Sequence, residues 1–199
     1  MDSIEIVDSM LKQLETTNGI TFASTCVRTF EPLWTLLADQ ENAGLFVSVA
    51  TDKLDPSKTI SKSELTEYLD QIRSLPALSN VYAKMPRECF LMKAGTVLFR
   101  ALNARIRDGA QSLCLLSDSC IHLAAELDQV LEHNTATTKT RSVRTAPTPS
   151  HLEQTEIERQ LRVLTNLTKS KSADESDFER ERNAIGDIAL KILEVDGVG

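Results

Sequence analysis

The chain has 199 residues, a formal net charge of −7 and an apolar fraction of 41%, which is enough to build the core of one ordinary domain. The acidic balance argues against strong nucleic-acid binding, because phosphate recognition needs a cationic face. No segment reaches the roughly 20 apolar residues that cross a bilayer, so no membrane span is expected.

Low counts of glycine, proline and aromatic residues favour helices over sheets, which need more turns and draw on aromatic side chains. The sequence contains seven glycines and six prolines, and aromatic residues make up 5%. We therefore predict an all-α fold, a helical bundle in which residues 1–133 form the main body. A flexible linker, 134–150, and a C-terminal helical segment, 151–199, are expected to follow.

The first helices are predicted from apolar residues that recur every three or four positions. Ile4, Val7, Leu11 and Leu14 share one face of the first helix, which is expected to end near Asn18-Gly19. A second segment starts at Thr21, and Pro32 should either kink it or stand in the first turn of a new helix. Its predicted core residues are Phe22, Cys26 or Val27, Phe30, Trp34 and Leu37.

The stretch from 45 to 75 is predicted to contain two more helices separated by a polar loop. Leu45–Ala50 is expected to be helical, with a short strand as the alternative. Ser61 and Glu64 form a capping-box pattern for the next helix, with Ile60 and Leu65 as its hydrophobic staple. That helix should end before Pro76, and a connector should continue to Pro86.

The longest periodic run extends from about residue 88 to residue 133 and predicts one long central helix. Its apolar and small residues step by three and four, the 3.5-residue repeat of helices that pack along their length. Asp108-Gly109 is a turn signal, and a helical hairpin at Gly109 is the alternative. The repeat consists of Leu91, Gly95, Leu98, Leu102, Ile106, Gly109, Leu113, Leu116, Cys120, Leu123, Leu127 and Val130.

The segment 134–150 differs sharply from its neighbours because it is basic and rich in threonine, serine and proline. Such a composition cannot bury apolar area and predicts a linker or long loop. Its hydroxyl groups are candidates for phosphorylation, which would reverse the local charge; an inert spacer is the alternative. The candidate positions are Ser142, Thr145 and Thr148. Beyond the linker, two further helices are predicted, which either fold back on the long helix or pair with a partner.

The four cysteines form neither a CxxC pair nor a Cys/His cluster, so zinc is not expected. The N-terminal residues lack the basic flank and apolar run of a signal peptide. We therefore expect reduced cysteines in an intracellular, cytoplasmic protein, with the nucleus as an open alternative. The cysteines are Cys26, Cys89, Cys114 and Cys120.

The twelve residues from Lys53 to Glu64 resemble an EF-hand calcium loop, with Ile60 at the eighth place and Glu64 at the twelfth. The resemblance implies calcium binding, but two departures oppose it. The first place holds Lys53 instead of aspartate, and the sixth holds Lys58 instead of the glycine that makes the sharp turn. A loop followed by a capped helix explains the same residues.

Asp118, His122 and Glu126 are spaced four residues apart and could line one strip of the long helix. Two carboxylates and an imidazole suggest a metal or acid–base site, and an enzyme with an inter-helical site is a further alternative. A solvated helix face is the favoured interpretation, because no second set of ligands converges on the strip. No catalytic residue, metal or cofactor is therefore predicted.

The favoured function is that of a non-catalytic scaffold or adaptor subunit that associates with another protein through apolar helix faces. The alternative is a helical interaction domain that self-associates, as in signalling, host–pathogen contact or viral assembly. A protein partner is expected in either case, in a hetero- or homo-oligomer. The predicted partner-binding residues are Leu113, Leu116, Leu123, Leu127, Val130, Phe178, Ile185, Ile188 and Ile192.

Overall fold

A computed structural model describes residues 2–75, 86–107, 109–135, 150–169 and 176–195. All regular structure within these ranges is helical, as the sequence predicted, and no strand occurs in them. We number the helices α1 (Ser3–Leu11), α2 (Thr16–Thr29), α3 (Glu31–Leu37), α4 (Gln40–Ser48), α5 (Lys62–Ser74), α6 (Pro86–Arg107), α7 (Ala110–Thr135), α8 (His151–Thr168) and α9 (Ser176–Val195).

The boundary between α1 and α2 differs from the prediction. Helix α1 ends at Leu11 and α2 begins at Thr16, so the predicted helix end at Asn18-Gly19 is wrong. Gly19 is buried inside α2, and a Cβ atom there would lie 3.0 Å from Cδ1 of Leu113 on α7. The glycine serves close packing of α2 against α7 and does not terminate a helix.

The restart at Pro32 is confirmed, because α3 begins at Glu31 and places Pro32 in its first turn. The indole of Trp34 stacks on the ring of Phe46 with 5.2 Å between ring centroids. The predicted core positions of this region are all fully buried: Phe22, Cys26, Val27, Phe30, Trp34 and Leu37.

Residues 45–50 are helical, as favoured, and belong to α4 and a π-helical turn over Val49–Lys53. The hydroxyl of Ser61 caps α5 by accepting a hydrogen bond from the N–H of Glu64 at 3.2 Å. Glu64 does not return the capping-box bond, because its carboxylate is paired with Lys53. Helix α5 ends at Ser74, before Pro76 as predicted.

The run from 88 to 133 is not one continuous helix. It is divided into α6 and α7, which end and begin on either side of Gly109, so the hairpin alternative is correct. Lys93 pairs with Glu126, and Arg100 donates to the hydroxyl of Ser119. These partners show that the two helices run antiparallel, which lets each helix bury its apolar stripe against the other.

Both C-terminal helices fold back on the rest of the chain. Helix α8 packs against α7 and α1, and α9 packs against α3 and α2. The start of α8 is fixed by Asp128 of α7, whose carboxylate accepts a hydrogen bond from the N–H of Leu152 at 2.5 Å. Helices α2, α7 and α8 also contact one another, and polar residues meet at that junction.

Candidate functional site

A group of polar side chains is buried where α2, α7 and α8 meet, and we call it the buried polar cluster. Each member has 3% or less of its surface exposed. Polar groups are costly to bury unless they bond to one another, so their arrangement decides what this junction can do. The cluster consists of Cys26 from α2, Ser117 and Cys120 from α7, and Glu156, Arg159 and Gln160 from α8.

The centre of the buried polar cluster is an ion pair within α8. Nε of Arg159 donates to Oε2 of Glu156 at 2.8 Å, and Nη2 donates to Oε1 at 2.6 Å. Two parallel bonds of this kind are the strongest arrangement of a guanidinium and a carboxylate. The three-residue spacing puts both groups on neighbouring turns of one helix. The ion pair therefore forms within α8 and does not depend on a partner from another helix.

Gln160 connects the ion pair to α7. Its amide nitrogen donates to Oε1 of Glu156 at 2.7 Å, and its amide oxygen accepts from the hydroxyl of Ser117 at 2.5 Å. Glu156 therefore accepts three hydrogen bonds. The network fixes α8 against α7 in one register, since a shift of one turn would leave these groups unpaired.

The two buried cysteines lie beside the guanidinium. Sγ of Cys26 is 3.5 Å from Nη2 of Arg159, and it lies within 4.8 Å of Sγ of Cys120. Burial raises the pKa of the Cys26 thiol, but the hydrogen bond from Cys120 and the charge of Arg159 outweigh burial and leave that pKa lowered. Burial together with the neighbouring Cys26 raises the pKa of Cys120 well above its usual value.

The cluster therefore contains two inequivalent thiols. Cys26 is the sulfur that favours the thiolate form, and Cys120 is the sulfur that keeps its proton. A neighbouring cation that lowers the pKa of a thiol increases its thiolate fraction, and the thiolate is the nucleophilic form of cysteine.

The same side chains have some features of a metal site. Sγ of Cys26, Sγ of Cys120 and a carboxylate oxygen of Glu156 lie within 4.8 Å of one another. However, Arg159 holds both carboxylate oxygens, and its permanent charge would lie next to any bound cation. The arrangement thus fits a pair of thiols better than a cation.

The predicted partner-binding residues pack the interior of the chain. Eight of the nine are buried with 7% or less of their surface exposed, and Val130 is half-buried against the core. A surface already covered by the chain's own helices is not available to a partner unless the bundle opens. The role of Leu113, Leu116, Leu123, Leu127, Val130, Phe178, Ile185, Ile188 and Ile192 in binding a partner stays a prediction.

The strip of Asp118, His122 and Glu126 does not converge on one site. Glu126 pairs with Lys93 of α6 at 2.5 Å, while the ring of His122 contacts only the carbonyl oxygen of Asp118 among the described hydrogen-bond partners. Burial and the nearby carboxylate of Asp8 raise the pKa of Asp118. Each of the three side chains thus has different neighbours, and they do not form one site.

The loop that resembles an EF-hand is arranged around protein cations. Nζ of Lys53, at the first place, lies 2.6 Å from the carboxylate of Glu64 at the twelfth. The guanidinium of Arg105 on α6 donates to the carbonyl oxygens of Lys53, Asp55 and Lys58. Groups that would bind calcium in a true EF-hand loop here bind lysine and arginine side chains.

The predicted phosphorylation sites Ser142, Thr145 and Thr148 lie outside the described residues, as do positions 136–149 of the predicted linker. Residues 76–85 of the predicted connector also lie outside the described residues.

The sequence interpretation missed the buried polar cluster. A signal is nevertheless present in α8, where Glu156 and Gln160 share the helical face of the buried residues Val163 and Leu167. Polar residues on an apolar face indicate a paired interior network. The proximity of Cys26 and Cys120 has no such signal, because they are distant in sequence and each fits an apolar stripe.

No family model, curated protein or solved structure matches this chain. None of the helices in the described part of the chain combines the length and the hydropathy that a bilayer crossing requires.

Proposed function

We propose that the protein is a non-catalytic helical scaffold or adaptor that binds another protein through the outer surface of its bundle. The supporting observation is that large apolar side chains are exposed on α3 and α9. Leu36 of α3 and Leu190 of α9 are 38% and 50% exposed. These two side chains replace the buried leucine stripe of α7 as the candidate binding residues.

Three contacts place the two leucines at the same end of the α3–α9 pair. The guanidinium of Arg28, in the last turn of α2 directly before α3, lies 5.4 Å from the ring of Phe178 near the start of α9. Further along, Arg182 pairs with Glu31 at 3.2 Å. From the first contact to the second, the residue number rises on both sides, so α3 and α9 run in the same direction.

The third contact is between Gly186 and Pro32, where a Cβ on the glycine would lie 3.7 Å from Cβ of the proline. Leu36 and Leu190 each follow that contact by four residues, about one helical turn. They therefore lie on neighbouring helices at a similar height. We call them the α3–α9 leucine pair.

The chemistry of the α3–α9 leucine pair suits the centre of a small interface. Burying one leucine side chain contributes roughly 1.5–3 kcal/mol, so the pair alone does not make a stable complex. A partner would have to add polar contacts around it, as the rims of protein interfaces do. The net charge of −7 favours a partner whose contact surface is neutral or basic.

We also propose an intracellular, cytoplasmic location. None of the four cysteines, all of which lie in the described part of the chain, forms a disulfide, and reducing compartments keep cysteines in that state.

The test compares the double variant Leu36→Gln/Leu190→Gln with the control Leu115→Gln. Leu115 is 47% exposed on α7, so the control removes a similar side chain elsewhere. Full-length tagged proteins would be purified from the cells that make the protein, and co-purifying chains quantified by mass spectrometry. We expect the double variant to lose a specific partner that the wild type and the control retain.

Retention of every partner by the double variant, with its folding verified by circular dichroism, would contradict the proposal. Light scattering of the purified protein over a dilution series addresses the alternative function. A monomer or small dimer agrees with an adaptor, whereas large oligomers that dissociate on dilution would favour self-association.

A further inference from the structure

We propose that Cys26 and Cys120 are an oxidative modification site, at which hydrogen peroxide or a related two-electron oxidant closes a reversible disulfide between α2 and α7. The proposal goes beyond the partner-binding function and rests on the geometry of the buried polar cluster.

The two cysteines face each other across a helix junction. The two sulfur atoms lie within 4.8 Å of each other, on helices that contact along the same junction. A disulfide requires the sulfurs to approach to about 2.05 Å, so its formation requires the two side chains to rotate and the helices to adjust. The bond would connect two helices that are distant in sequence.

The two thiols have unequal environments. Nη2 of Arg159 lies 3.5 Å from Sγ of Cys26 and stabilises a negative charge on that sulfur. Nη1 of the same guanidinium is buried and has no hydrogen-bond acceptor among the described residues. The guanidinium that contacts Cys26 therefore retains a donor nitrogen without an acceptor in the described part of the chain.

The chemistry balances in two steps. The Cys26 thiolate attacks one peroxide oxygen, so the S–O bond forms, the O–O bond breaks and hydroxide leaves, taking up the proton lost by Cys26 to become water. The sulfur of Cys120 then attacks the resulting sulfenic acid, the S–S bond forms, and the hydroxyl leaves as a second water with the Cys120 proton. Two thiols lose two electrons, and one peroxide is reduced to two waters.

A metal ion is the competing occupant of this position. Glu156 would be its third ligand, yet that carboxylate already accepts three hydrogen bonds, two of them from Arg159. A disulfide leaves the Glu156–Arg159 pair intact and adds no charge to the core. Oxidation therefore disturbs the cluster less than cation binding does.

The remaining cysteines provide an internal comparison. Burial together with Asp8 raises the pKa of Cys114 to about 11, so its thiol is a poor nucleophile at neutral pH. Cys26 is fully buried, and peroxide reaches it only when the junction opens locally. Its oxidation rate is therefore expected to rise in urea concentrations below those that unfold the chain.

The experiment treats the full chain carrying Cys89→Ser/Cys114→Ser with hydrogen peroxide, alongside the wild type, and maps the peptides without reduction. We expect the loss of two hydrogens per chain and a peptide cross-linked between Cys26 and Cys120. Dithiothreitol should reverse the cross-link, and the oxidised chain should have a higher Tm because a long loop is closed.

Single replacements assign the role of each sulfur. In Cys120→Ser, Cys26 should accumulate as a sulfenic acid that dimedone traps. In Cys26→Ser, Cys120 should be oxidised at least about tenfold more slowly than Cys26 is in Cys120→Ser, because Cys120 keeps its proton and has little thiolate character. Equal rates in the two variants would overturn the assignment of Cys26 as the attacking sulfur.

Two outcomes would overturn the proposal as a whole. In the first, a peroxide treatment that oxidises both thiols in the urea-unfolded chain leaves both of them reduced in the folded chain. The other is that the chain purified without chelator contains one equivalent of zinc whose removal unfolds the junction, which would assign the residues to a metal site.

Discussion

Arg159 is the largest polar side chain in the core, and its pairing shows how the interior tolerates a full charge. It is fully buried and bonded to Glu156 through two nitrogen atoms. Arg159→Met keeps most of the volume but leaves the carboxylate buried with a single donor, Gln160. We expect a loss of about 3–5 kcal/mol in the free energy of unfolding, measured by urea denaturation.

The double variant Arg159→Met/Glu156→Gln is the control for that prediction. It removes both charges, so its stability should exceed that of Arg159→Met alone. A single variant as stable as the wild type would show that the ion pair is not buried as described.

Asp118 illustrates the opposite situation, a carboxylate near a like charge. Burial and the neighbouring Asp8 raise its pKa above the usual 3.8. Between the usual and the raised value the folded state binds more protons than the unfolded state, so stability falls as the pH rises through that window. Asp118→Asn should therefore have a higher Tm than the wild type at neutral pH.

The pH dependence of that difference is the check. At about pH 3 the carboxyl is protonated in both states, and the advantage of Asp118→Asn should vanish. A difference in Tm that is constant from acid to neutral pH would indicate a cause other than the charge.

Helix α7 lies between two long helices, because it packs against both α6 and α8. Leu115 and Leu116 are adjacent on it, yet one is 47% exposed and the other fully buried. Leu116→Ala should lower the free energy of unfolding by about 2–5 kcal/mol, while Leu115→Ala should change it by less than about 0.5 kcal/mol. Chemical denaturation measures the free energy of unfolding of both variants. Equal losses would show that Leu116 is not more buried than Leu115.

The helices themselves were largely predictable, because periodicity is a local property. The stripe of Leu65, Leu69 and Ile72 and the cap at Ser61 were read correctly from spacing alone. The division at Gly109 was not decided by the sequence, since the three- and four-residue rhythm continues through it. The choice depends on whether α6 finds α7 as a partner, which is a tertiary question.

The candidate site was much less predictable than the helices. Glu156 and Gln160 share a helical face with buried apolar residues, which indicates an interior network, but only the packing of α8 against α2 and α7 shows which partners they meet. The contact of Cys26 with Cys120 joins separate helices. No local pattern encodes a contact of that kind.

At the scale of the whole molecule, the central claim is that the apolar helix faces pair within one chain. Residues from every described helix, from Val7 of α1 to Ile192 of α9, join one hydrophobic core. If this core forms within one chain, unfolding should be unimolecular.

Thermal unfolding of the purified chain over a hundredfold range of protein concentration tests this claim most directly. A core formed within one chain predicts a Tm that does not change with concentration. A Tm that rises steadily as the protein is concentrated would show that the leucine stripes pair between chains, and would contradict the account.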